Sequence, residues 1–232
     1  MCCLTIVRTQ NQNIVITHNR DEQWSRQTKG ASIEETHINN KKIWMPKDSL
    51  SDGTWIGTDG TKAAAILNGF KENHVKKGQY KASRGTIIPQ FLKSESTCTF
   101  VDSFDPTGLE PFTLILVDNN ESILEYGWDE KYRYLTYLDF NEPIMYSSAT
   151  LYSDDIQKRR QSHFQSLLQK QMVAHDLWLF HVSKGDNHGK FINVDYNSEI
   201  STVAISQIVL GNASLFHYKS LLNQNQKQTI EL

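Results

Sequence analysis

The chain has 232 residues, 26 acidic against 24 basic side chains, a formal net charge of -2 and a pI near 6.4. That length suits a single domain, residues 1–232, with a sizeable core, and the charge balance excludes the footprint of a nucleic-acid partner or of binding to an anionic membrane surface. Three cysteines and eight histidines form neither a disulfide framework nor a metal-ligand pattern, and no run approaches 18 apolar residues. No metal, cofactor or integral membrane segment is therefore expected, and the chain reads as soluble and cytoplasmic.

Residues 2–8 and 13–18 are short apolar, β-branched runs separated by Thr9-Gln10-Asn11-Gln12, a turn signal, so the chain opens on a hairpin. A turn centred on Gln10-Asn11 sets Cys2 opposite Asn19, and a one-residue slip sets it opposite Asp21. Either register brings the thiol beside Arg20 and Asp21, where the second strand is expected to give way to a polar loop. Removal of Met1 would leave Cys2 with a thiol and a free α-amine, so nucleophile and base would share one residue. With reference pKa values of about 8.5 and about 7.7 to 8.0, the amine can take the thiol proton near neutral pH. Arg20 would favour the thiolate and Asp21 would hold the amine. The plainer alternative makes Cys2 and Cys3 small buried residues, and Arg20 with Asp21 a surface ion pair worth about 0 to 1 kcal/mol.

Residues 23–40 read as a long polar loop bordering the pocket, and residues 42–46 as a short strand stopped by Pro46. Asp52-Gly53 turn into a strand carrying Trp55, which is read as core ahead of substrate contact. Residues 62–67 are too short an apolar run for a helix and form a buried strand that delivers Asn68-Gly69 to its end. By itself that pair is turn chemistry. After a lysine-rich loop, Ser83 caps a helix through Ile87, Ile88, Phe91 and Leu92. Arg84 in its first turn opposes the helix dipole and calls for a carboxylate partner or a substrate anion. Residues 97–104 suggest a second short helix.

Residues 112–117, 122–126 and 132–138 form an antiparallel meander, and residues 144–148 a strand ending in two serines. Residues 154–175 give the longest helical signal, with Trp178, Leu179 and Phe180 in another helix that stops near Gly185. An apolar run follows at 190–194, and a strong strand at 200–209 pairs with 214–218 around Gly211-Asn212. Strands at both ends and in the middle, interrupted by one helical block, fit two antiparallel sheets faced by helices.

Met1-Cys2 and Asn19-Arg20-Asp21-Glu22 are followed in order by Asp52-Gly53-Thr54-Trp55-Ile56-Gly57, Ala63-Ala64-Ala65-Ile66-Leu67-Asn68-Gly69, Ser83-Arg84-Gly85, Pro111-Phe112-Thr113-Leu114-Ile115 and Ser147-Ser148-Ala149-Thr150-Leu151-Tyr152. This ordered set, spanning nearly the whole chain, resembles the NRDE family, whose animal members are called transport and Golgi organisation proteins. The last motif, with residues 201–208, looks like the bacterial branch.

NRDE proteins resemble N-terminal nucleophile hydrolases of the bile salt hydrolase and penicillin V acylase branch. The resemblance implies an α+β fold, a four-layer αββα sandwich of two antiparallel sheets flanked by helices. It also implies a cysteine nucleophile flanked by an arginine and an aspartate, matching Cys2, Arg20 and Asp21, and an oxyanion-hole asparagine matching Asn68. A second asparagine of the hydrolases falls in Ser147-Ser148-Ala149, which makes Ser148 its candidate, and a late arginine of theirs has no match. Asn19, Glu22, Trp55, Arg84 and Ser148 are the expected supporting or substrate-binding residues. Two functions follow: an amidohydrolase acting on a non-peptide C–N amide of a small molecule, or a non-catalytic carrier of haem or a lipid-like ligand.

Overall fold

Strand β1 (Cys2–Arg8) and strand β2 (Ile14–Gln23) form the opening hairpin of the computed structural model, with Cys2 opposite Arg20. The model describes residues 2–23, 32–38, 41–48, 53–72, 74–118, 122–148, 154–168, 172–183, 200–222 and 226–232. The register falls midway between the two expected from the sequence. Its cause is a three-residue loop, in which the Thr9 N–H donates to Asn13 O at 2.9 Å and Gln12 takes the left-handed region at φ 63°. The second strand also runs on through Asn19-Arg20-Asp21-Glu22, which is therefore strand and not the start of a loop.

The remaining strands are β3 (Ile33–Ile38), β4 (Lys41–Pro46), β5 (Ile56–Thr58), β6 (Lys62–Asn68), β7 (Phe112–Asp118), β8 (Ser122–Trp128), β9 (Arg133–Leu138), β10 (Ile144–Ser147), β11 (Ile200–Leu210), β12 (Leu215–Ser220) and β13 (Lys227–Glu231). All pairings are antiparallel. One sheet has the order β10-β1-β2-β11-β12-β13 and the other β3-β4-β5-β6-β7-β8-β9. Strand β3 falls within the stretch read as loop. It is an edge strand with mostly solvent-facing side chains, so its polar sequence lacks the apolar alternation that marks a half-buried strand.

Helices α1 (Ile87–Lys93) and α2 (Thr97–Ser103) lie on the second sheet; α3 (Asp154–Leu167) and α4 (Ala174–Val182) lie on the first. The helical signal over 154–175 is thus two helices, and His175 belongs to the second. A new helix starts where the Asp176 carboxylate accepts the Val173 N–H at 2.9 Å. The run at 190–194, Gly185 and the motif residues Asp52 and 149–152 lie outside the described residues.

Side-chain alternation assigns the layers. Cys2, Leu4 and Ile6 of β1 and Ile14 and Ile16 of β2 join Trp55, Ala63, Ala65 and Leu67 in the core between the sheets. Cys3, Val7 and Val15 point the other way, onto Phe164, Leu177 and Phe180 of α3 and α4. Ala64 and Ile66 of β6 pack under Ile87, Ile88, Phe91 and Leu92 of α1. Both sheets are covered on both faces, which explains unbroken burial from Cys2 to Val7 and from Lys62 to Leu67. The result is the expected α+β sandwich, αββα in layer order. Among the described residues no helix is long and apolar enough to cross a membrane.

Candidate active site

Cys2 opens β1 at the rim of the inter-sheet core and is only 4% exposed. Its carbonyl accepts the Ser148 N–H at 2.9 Å, just beyond the end of β10. The Ser148 hydroxyl donates to the carbonyl of Asn68 at 2.6 Å, on the opposing sheet. One serine therefore ties the thiol's strand to the end of β6.

Cys2, Arg20, Glu22, Asp48, Trp55, Asn68 and Arg84 line a common cleft of about 100 Å³. Its wall is fixed where the Thr54 N–H donates to Gly85 O at 3.1 Å. A Cβ at Gly85 would meet the Thr54 backbone at 2.7 Å, so this approach requires glycine.

Arg20 lies across the sheet from Cys2. Its guanidinium bonds the Asp48 carboxylate, sits 3.7 Å from Glu22 and covers the Trp55 ring at 4.2 Å from the centroid. Trp55 is buried, with its indole N–H donating to Ser206 Oγ at 3.4 Å, and so serves the core and the cleft together. Arg84 sits in a 3-10 turn, Arg84–Thr86, ahead of α1. There it meets a structural carboxylate, Glu110, at 3.1 Å and donates to Pro111 O at 2.9 Å. Asp48 and Glu110 carry no motif, so only their position in the fold identifies them.

Asn19 and Asp21 alternate to the helix-facing side of the sheet and do not line the cleft described here. Asp21 is fully buried and accepts from Thr202 Oγ1 at 2.6 Å. Neither Arg20 nor Asp21 is a surface residue, at 6% and 0% exposed, and as neighbours along a strand they point to opposite faces. Asn19 clamps α4: its amide donates to His181 O at 3.0 Å, and its Oδ1 meets His181 Nδ1 at 2.8 Å. Since that oxygen can only accept, Nδ1 carries the proton. Nε2 is then left to accept from Thr5 Oγ1 at 2.8 Å.

Burial dominates the titration of the thiols. It raises Cys2 despite the lowering by the chain's amino terminus and, less, by Arg20, so with Met1 in place the group is a thiol rather than the thiolate that Arg20 would favour. Cys3 is pushed up to about 12.

Burial also lowers His18, to about 3, with the chain's amino terminus and Arg20 adding to the effect and the Ile66 backbone partly opposing it. His181 is held well below its ordinary value, again chiefly by burial. Both imidazoles are neutral in the fold and take up protons when it opens. Stability is therefore expected to be complete above pH 6.5 and lost as pH falls from there towards 3. Each histidine should add a slope approaching about 1.4 kcal/mol per pH unit within that window. Urea titrations between pH 7.5 and 4.5 should show this decline, and His18→Gln should flatten it.

The sequence profile of the family described as Transport and Golgi organisation 2 matches residues 1–215. No curated protein sequence matches the chain. Among solved structures, a cysteine-to-alanine mutant of conjugated bile acid hydrolase from Clostridium perfringens aligns at TM-score 0.61 and 8% identity, over 100% of this chain and 92% of that one. An arginine-to-leucine variant of the same hydrolase aligns at TM-score 0.58 and 9% identity, over 99% and 92%. Penicillin V acylase from Agrobacterium tumefaciens aligns at TM-score 0.55 and 12% identity, over 100% and 86%. At such identities the likeness is one of fold.

Proposed function

The chain belongs to the Transport and Golgi organisation 2 family, and from that premise we propose that it is an N-terminal cysteine amidohydrolase acting on a C–N amide of a small molecule. The observation that carries this reading is Ser148, whose backbone and hydroxyl hold the carbonyls of Cys2 and Asn68 at one small cleft. Removal of Met1 frees the α-amine of Cys2. The amine takes the thiol proton as Sγ attacks the amide carbon.

The new S–C bond leaves charge on the carbonyl oxygen, which the Asn68 side-chain amide stabilises. The ammonium then protonates the leaving nitrogen as the C–N bond breaks. Water, giving its proton to the same amine, hydrolyses the thioester and restores the thiol. Arg20 moderates the thiol's raised pKa, and Asp21 anchors the amine. Asn19 acts at a distance by fixing α4, and Arg84 and Glu22 shape the cleft.

The test is mass spectrometry of protein from its natural host. The mature chain is expected to lack Met1 and, when quenched during incubation with N-acyl amino acids or N-acyl homoserine lactones, to carry the acyl mass on the Cys2 peptide. Retained Met1, or an acyl group found only on Cys98, would remove the reading. General alkylation is a poor substitute, because Cys98 is exposed and Cys2 is buried.

A further inference from the structure

We propose that this chain forms a two-fold dimer by pairing strand β9 with β9 of a second copy, so that the seven-stranded sheet of one subunit continues into that of the next. Among the described residues β9 is the last strand of its sheet and pairs only with β8, which leaves a row of backbone N–H and C=O groups along its outer side.

The four sheet edges differ in how they are guarded. Strand β3 carries Glu34, Glu35 and His37, with Glu34 paired to Lys47 at 3.2 Å and Glu35 to Lys42 at 3.3 Å. Strand β13 places Lys227 and Glu231 at exposed positions, and β10 is four residues long. Charge and shortness are what keep an edge from pairing. Strand β9 has neither: it is six residues long, its one charge is Arg133, and Leu135 and Tyr137 are 48% and 66% exposed.

That exposure follows from where the helix layer stops. Leu135 and Tyr137 lie opposite Tyr126 and Leu124, which are buried on the helix-covered face of the sheet. Helix α1 sits over β4, β5 and β6, and Phe104, at the end of α2, reaches only as far as Tyr126, 5.7 Å away between ring centroids. On its other face β9 is held firmly, because Tyr134 packs on Phe70 at 4.9 Å and Leu138 joins the inter-sheet core.

The register selects a second copy as the occupant. With a two-fold axis through Leu135, perpendicular to the sheet, Leu135 meets Leu135, and Arg133 of each copy meets Tyr137 of the other as a cation–π pair. Continuing the same register sets Lys131 beside Asp139 of the other copy, and both are exposed. Asp129 then faces Asn141 and Glu130 faces Phe140, so no like charges oppose. An axis on Thr136 would set Glu130 against Glu142, and one on Tyr134 would set Asp129 against Asp139.

Sedimentation velocity of the full chain is expected to show a concentration-dependent dimer of twice 26.7 kDa. Leu135→Lys, which sets two ammonium groups at the axis, should weaken association about a hundredfold or more, and Lys131→Glu, facing Asp139, about tenfold at low salt. In a Cys98→Ser chain, whose Cys2 and Cys3 are buried, Leu135→Cys should crosslink to itself under mild oxidation. Tyr137→Cys should not, since cysteines with Cα atoms more than about 7 Å apart cannot bridge. Leu135→Cys also reads the contact should Leu135→Lys fail to fold. A chain that stays monomeric up to about 1 mM overturns the proposal and leaves β9 to a strand of another protein or to none. Assembly that Leu135→Lys leaves intact uses another face and overturns it as well, as does crosslinking of Tyr137→Cys at the rate of Leu135→Cys.

Discussion

Cys2→Ala is expected to abolish amide turnover, and Asn68→Ala to slow it by about 10² to 10³. The two should differ in kind. Without its nucleophile the protein forms no acyl-enzyme, and mass spectrometry should find no adduct at any time of quench. Without the Asn68 amide, attack still occurs, but the charge that develops on the carbonyl oxygen loses a fixed donor, so kcat should fall with little change in KM. The Asn68 main chain remains bonded to Ser148 in either variant, since that contact uses its carbonyl. Ser148→Ala should consequently act through position, lowering kcat by less than Asn68→Ala. Equal turnover by the parent and Cys2→Ala would end the enzymatic reading.

The largest loss of stability is expected at Asp48. Arg20 and Asp48 are each 7% exposed in their side chains and bond one another beneath the cleft. Asp48→Ala leaves a buried guanidinium without its directly bonded carboxylate, with Glu22 at 3.7 Å and the face of Trp55 beside it. Breaking such a pair from one side costs about 3 to 5 kcal/mol, and Glu22 places the expectation near the lower end. Arg20→Met combined with Asp48→Leu should recover much of that stability, because it removes both charges and restores apolar packing. The double variant separates the roles of the pair: it is expected to fold while remaining deficient in turnover. Denaturant titration of the two variants decides this, and a loss below about 1 kcal/mol for Asp48→Ala would mean that the pair is effectively solvated.

Much of the architecture was legible because its determinants are local. The apolar runs at β1, β2, β6, β7, β8 and β11 exceed the length of a turn and fall short of a helix, so periodicity and β-branching identify them directly. The Ile87, Ile88, Phe91, Leu92 set marks the buried face of α1 for the same reason, whereas Ser83, read as its cap, instead caps the 3-10 turn ahead of it. Where burial is slight the signal fades, as in β3, whose edge position tolerates Glu34, Glu35 and His37. Strand β13 gives as little signal, its Lys227, Thr229 and Glu231 being exposed.

The sequence by itself brought Cys2, Arg20 and Asp21 into one neighbourhood, because a hairpin correlates residues that are close along the chain. Resemblance added Asn68 and Ser148. Only the tertiary structure decided which way each side chain faces. A single residue of loop length makes the register odd or even, and strand alternation then sends Arg20 to the cleft and Asn19 and Asp21 to the helix layer. The partners of the two cleft arginines, Asp48 and Glu110, lie 28 and 26 residues away in sequence and meet them only when the sheets and the 3-10 turn have packed. The protonation of Cys2 was decided there too. Its electrostatic neighbours are written in the tetrapeptide, but desolvation depends on how completely the opposing sheet covers the thiol, a property of the packed layers that no local pattern carries.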